Sequence, residues 1–195
     1  MSRPRSGERR EEILQVLARM LQEQPGEHIT TAQLAHAVGV SEAALYRHFP
    51  SKARMFESLI EFIEESVFTR INRILAETPG AEDRLQQILV LLLGFADKNP
   101  GMARLLQGGV LTGETGRLRA RIAQFYERVE TQLRQVLREG AAAAGGQRLP
   151  VNEAAWLLLA VVEGRIAQFV RTDFGISPID GWEAQWVLLR AGLKS

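Results

Sequence analysis

Between Val40 and Lys52 the chain sorts its residues onto two sides. Val40, Ala44, Leu45 and Phe49 recur at helical spacing as an apolar side, which leaves Ser41, Glu42, Ala43, Tyr46 and Arg47 facing outward and His48 at the edge. The outward types suit the major groove of a duplex. An alanine methyl such as that of Ala43 can touch a thymine methyl, and Arg47 can reach a guanine edge or a phosphate. Tyr46 and Lys52 can hold phosphates and so fix register.

These residues need a scaffold, and the preceding stretch supplies it. Thr30-Thr31-Ala32-Gln33 has the form of a helix start: a threonine hydroxyl accepts an orphan N–H and Gln33 reaches back. Leu34, Ala35 and Val38 give that helix an apolar face, and Gly39 follows where a left-handed residue is needed. Ser41 then caps a second short helix. Two short helices about a glycine turn form a helix-turn-helix. The expected DNA-contacting set is Thr30, Thr31, Ser41, Ala43, Tyr46, Arg47, His48 and Lys52.

The stretch VGVSEAALYRHFPSKARMF resembles the signature of the TetR family, through Gly39, Val40, Ser41, Leu45, Tyr46, His48, Phe49 and Lys52. The resemblance implies an all-α homodimer: an N-terminal three-helix DNA-binding domain, residues 1–54, joined to a helical dimerisation and partner-binding bundle, residues 55–195. Two-fold DNA half-sites call for such a dimer.

Composition bounds the rest. The 195 residues are 46% hydrophobic and 24% charged, an ordinary globular balance with no cysteine for disulfide or thiol chemistry. The first residues lack the apolar core of a signal peptide, and no apolar run reaches the length of a membrane span. An intracellular, cytoplasmic protein is the expectation. Net charge is +1; residues 1–54 hold 8 Lys/Arg against 6 Asp/Glu, and the remainder 16 against 17. Arg3, Arg5, Arg9 and Arg10 cluster as a basic arm or first turn near a phosphate backbone would.

In order, the periodicity predicts helix 1 over about 8–24, ending at Pro25-Gly26, and a long helix over about 52–77 capped by Ser51. In the long helix, Met55, Phe56 and Leu59 dock on the first three helices, and Ile63, Val67, Ile71 and Ile74 continue the stripe. Helix 5, about 81–97, is apolar on nearly all sides, and a short helix follows over about 102–107. A seventh helix covers about 114–139, its arginines mostly a solvated face, and residues 141–149 read as a flexible connection. Asn152 reads as the cap of helix 8, which runs to about 171 with small residues at Ala160, Gly164 and Ala167. Trp182 and Trp186 lie one turn apart in helix 9. Helices 8 and 9 are the candidate four-helix interface of a dimer.

His28, His36 and His48 have no metal spacing, and no phosphate loop or nucleophile elbow occurs. The paired glutamates Glu11-Glu12 and Glu64-Glu65 sit on amphipathic helices as solvated faces. Neither enzyme activity nor a cofactor is expected.

Over most of its length the chain resembles a narrower branch of the TetR family, the nucleoid occlusion factors. RREEIL, RMFESLIEFIEES, RINRIL, LLLGFADKNPG and QLRQVLRE carry the resemblance in order. It implies a DNA-bound dimer that antagonises the tubulin-like division protein FtsZ, with no small-molecule ligand required. The FtsZ-facing positions implied are Phe62, Arg70, Leu91, Gly94, Lys98 and Asn99. Lys98 stands where arginine is usual in that branch, which keeps the charge and loses the planar fork. The alternative is a ligand-responsive TetR-type repressor, with the apolar helix 5 and three tryptophans lining a cavity.

Overall fold

The computed structural model describes residues 6–24, 29–108, 116–145 and 150–193. Among them the order is α1 (Ser6–Glu23), α2 (Thr31–Val38), α3 (Glu42–His48), α4 (Lys52–Glu77), α5 (Ala81–Lys98), α6 (Pro100–Leu106), α7 (Gly116–Ala143), α8 (Val151–Arg171) and α9 (Trp182–Leu193). By packing the chain divides into two compact units: Met1–Ile63 with Asn99–Ile122, and Glu64–Lys98 with Ala123–Ser195. That is a division by packing, whereas 1–54 and 55–195 is one by expected function.

In the first unit the core is built from the predicted stripes. Ile13, Leu17 and Leu21 of α1, Leu34 of α2, Leu45 of α3 and Met55, Phe56 and Leu59 of α4 are all buried. The arrival of α6 in this unit was not foreseen. Gly101 sits so close to α1 that a Cβ there would overlap the Ala18 carbonyl oxygen, so only glycine fits. One turn on, the buried Arg104 donates to the carbonyls of Leu21 and Gln22 at 2.8 and 3.0 Å, capping the C-terminal end of α1. Pro100 occupies the first turn of α6, where its missing N–H costs nothing.

The start of α7 is tied to α4 in the same unit. Glu57, only 4% exposed, takes Arg54 at 2.7 Å and Arg117 at 2.9 Å, and Glu61 takes Arg121 at 3.4 Å. A carboxylate this buried needs such cations, since an unpaired one would be costly to desolvate.

In the second unit, Ile88, Leu89, Leu92 and Leu93 of α5, Val129, Leu133 and Val136 of α7 and Leu158, Val162 and Ile166 of α8 are all buried, and α5 packs against α8. Phe68 packs edge-on to Phe125 at 5.7 Å, with the Arg128 guanidinium 3.8 Å over the Phe68 ring. The seventh helix's arginines are therefore not simply a solvated face: Arg117, Arg121, Arg128 and Arg134 each have a partner.

Two boundaries differ from expectation. α7 runs on through Ala143, because three alanines following Gly140 are strong helix formers and continue the helix. α8 begins at Val151 after Pro150, with no side-chain cap, so Asn152 lies inside the helix rather than capping it. The expected end of helix 1 at Pro25-Gly26, and His28, lie outside the described residues, as do Arg3 and Arg5.

Candidate nucleic-acid interface and partner surface

Both short helices are built as their cap residues require. The Thr30 N–H donates to Gln33 Oε1 at 2.8 Å while Thr30 Oγ1 accepts the Gln33 N–H at 3.2 Å, a complete capping box. Gly39 closes α2 at φ +77°, its N–H reaching the His36 carbonyl at 3.0 Å. Ser41 is extended, and its Oγ accepts the Ala44 N–H at 3.2 Å. Leu45 and Phe49 then anchor α3 inward, leaving Ala43, Tyr46 and Arg47 exposed on the open face.

The predicted DNA set therefore splits by occupation. Thr30 and Ser41 spend their hydroxyls on caps. Thr31 donates to Glu42 Oε2 at 2.8 Å, and the Tyr46 hydroxyl lies 3.4 Å from Thr31 Oγ1. Ala43 and Arg47 are exposed at the surface. Lys52 is half-buried with its ammonium 5.6 Å from the Phe56 ring centre. His48 is half-buried, and its carbonyl accepts from Arg10 Nη1 at 2.9 Å. Sequence reasoning gave Arg10 a place beside phosphates; the structure sets its guanidinium on α3, 4.5 Å from the centre of the Phe49 ring.

The second predicted set falls in both units. In the first, Phe62 is 45% exposed and Asn99 half-buried. Exposure on that scale sets Phe62 outside the core. In the second, Arg70 and Lys98 are exposed, while Leu91 and Gly94 are half-buried. The space above Gly94 is not wholly open, since a Cβ there would lie 3.5 Å from Ile179 Cδ1. Ile179 belongs to the loop between α8 and α9. Arg165 holds that loop by donating to the carbonyls of Ser177, Pro178 and Asp180 at 3.0, 3.2 and 2.7 Å. Ser177 Oγ ties it to Asp97 of α5 at 2.6 Å. No local sequence signal marked the hold of Arg165 on this loop, because the carbonyls it reaches are twelve to fifteen residues away.

A third surface lies on α8 and α9. Trp156, Leu157, Ala160 and Gly164 are exposed along one side of α8, and Ala184, Val187, Leu188 and Ala191 along one side of α9. Leu188 is 74% exposed. Trp182 and Trp186, by contrast, stack 6.2 Å apart inside the chain. Trp156 Nε1 donates to Glu130 at 2.9 Å, and Glu130 also takes Arg134 at 3.3 Å. Nearby, burial and then the charge of Glu130 push the Glu163 carboxyl above its usual range. Burial, and then Glu163, push the Tyr126 phenol upward as well.

No helix among the described residues is long and apolar enough to cross a membrane, and no three described His, Asp or Glu side chains are grouped to hold a metal ion.

A helix-turn-helix carried on a helical body is the architecture of a TetR-type DNA-binding regulator. Residues 13–59 match the family of bacterial regulatory proteins, tetR family, and residues 81–194 match a tetracyclin repressor-like C-terminal domain of the SlmA-like kind. A fatty acid degradation regulator from Bacillus halodurans shares the fold at TM-score 0.80 and 17% identity, over 97% of this chain and 96% of its own. A TetR-family regulator from Syntrophomonas wolfei does so at TM-score 0.78 and 15% identity, over 98% and 97%. Among curated relatives, the nucleoid occlusion factor SlmA of Marinomonas sp. is 54% identical over 97% of this chain and 96% of its own length. That of Shewanella halifaxensis is 56% identical over 95% and 94%. The chain belongs to the SlmA nucleoid occlusion factors within the TetR family.

Proposed function

We propose that two copies of the chain bind palindromic sites on chromosomal DNA through α3 and, so bound, antagonise FtsZ assembly and block division over the nucleoid. The observation that carries this reading is identity above one half, over nearly the full length, with nucleoid occlusion factors. The exposed apolar sides of α8 and α9 support pairing of two copies, since a soluble chain gains by covering such a surface. The exposed cations Arg70 and Lys98 support a patch for an acidic FtsZ segment. Phe62, Leu91, Gly94 and Asn99 are the further partner-binding positions that the resemblance implies. Thr30, Thr31, Ser41, Ala43, Tyr46, Arg47, His48 and Lys52 form the DNA-facing set, with Thr30 and Ser41 acting through the helix starts they cap.

Co-sedimentation with FtsZ polymers, with and without a palindrome selected from random DNA, tests the reading. Arg70→Asp and Gly94→Asp should abolish FtsZ binding while DNA affinity and melting temperature stay near wild type. FtsZ binding that survives both changes would displace the surface, and a wild-type chain that ignores FtsZ would remove this partner altogether.

A further inference from the structure

α3 has seven residues. Isolated helices shorter than about 12–15 residues are marginal in water, so its position depends on packing and on whatever holds its ends. At the N-terminal end, Ser41 caps it and Glu42 takes the Thr31 hydroxyl of α2. At the C-terminal end the tie comes from α1. Arg10 Nη1 donates to the His48 carbonyl at 2.9 Å, and its guanidinium lies over Phe49 with the carbon 4.5 Å from the ring centre. The His48 carbonyl is among the last four of the helix, which no N–H of the helix itself can reach. A cation there also faces the negative end of the helix dipole.

We infer that Arg10 is a positioning residue for sequence recognition: it fixes the C-terminal end of α3, and with it Tyr46 and Arg47, instead of serving as a phosphate counter-charge. A planar guanidinium held by a carbonyl and an aromatic face has a fixed orientation that an ammonium of equal charge lacks. The two functions leave different marks. A lost phosphate contact releases one counterion fewer, so affinity falls on every sequence and the salt slope drops by about one. A loosened helix end keeps its charge balance but disturbs hydrogen-bond geometry at base edges, so the loss falls on discrimination.

The inference rests on DNA reading through α3, and the test separates the two. Arg10→Lys and Arg10→Met, made in the full chain, are titrated on a palindrome selected with the wild type and on a random duplex of equal length, across a salt series. Both variants should lose about tenfold on the palindrome, the effect of one charge-assisted hydrogen bond, with the lysine variant unchanged on the random duplex and in salt slope. Wild-type binding of the palindrome by Arg10→Lys would overturn the inference. So would equal losses on both duplexes, which is also the mark of a variant that merely unfolds, because a smaller competent fraction scales both affinities alike. Failure of the wild type to select any palindrome would overturn the α3 reading and this inference with it.

Discussion

α2–α3 and α8–α9 are both pairs of neighbouring helices, and they leave very different surfaces open. The α2–α3 pair is short, capped by Thr30 and Ser41, and shows Ala43, Tyr46 and Arg47 outward over a buried Leu45. In α8–α9 the helices are longer, α8 starts without a side-chain cap, and apolar residues lie on an outward side as well as an inward one. A surface that meets a hydrated polyanion needs few apolar atoms and closely held geometry. One that meets a second protein chain needs apolar area, and its helices are held by packing instead of by caps. The contrast teaches how cap chemistry and outward apolarity set the proposed DNA-reading surface apart from the proposed pairing surface.

The largest effect should come from breaking the apolar side of α8–α9. Leu188→Glu places an uncompensated charge where the proposed pairing would bury it, and should raise the dimer dissociation constant by about a hundredfold or more. Sedimentation velocity would then show monomer at micromolar concentration. A dimer that tolerates this change would take the α8–α9 side out of the contact. The cap side should be gentler. Ser41→Ala removes the side-chain acceptor at the start of α3 and should cost about 1 kcal/mol in chemical denaturation. Thr30→Ala should cost a comparable amount, about 1 kcal/mol, because it opens a reciprocal box.

The smallest effect concerns the half-buried carboxyl of α8. The folded-state pKa of Glu163 is raised, first by burial and then by Glu130, so protonation favours the folded chain. Stability from this group is present below the ordinary carboxylate range and is lost as pH rises through the raised value. Glu163→Gln should therefore raise the melting temperature slightly at neutral pH, with the difference vanishing near about pH 4. An equal shift at both pH values would assign the change to packing.

Local signals gave the helices and the caps of α2 and α3, though not the start of α8, because a capping box or a glycine turn is written within four or five residues. Thr30 with Gln33, Gly39 and Ser41 could be read directly. Distant pairings left no such trace. Glu57 looks like any helix-surface glutamate until Arg117, sixty residues on, closes over it. Arg10 belonged to a run of arginines whose plain reading was charge; only the fold brings it to His48, 38 residues away. At Ala141–Ala143 the glycines that follow suggested a loose connection, and helix propensity prevailed. For the partner set the resemblance singled out Phe62, and exposure then separated it from core, which helical spacing alone could not do.

Gly101 and Arg104 carry a consequence for the order in which the molecule can be completed. The bond from Arg104 to the Leu21 carbonyl joins positions 83 residues apart, so the unit that bears α3 is topologically unfinished until α6 has been synthesised. Contacts of such long sequence separation form late, since the intervening chain must first surrender its freedom. A nascent chain leaving the ribosome would thus display α1 with its α6-binding side bare for as long as α4 and α5 take to emerge. The unit that carries α3 would be completed by the middle of the protein and not by its beginning.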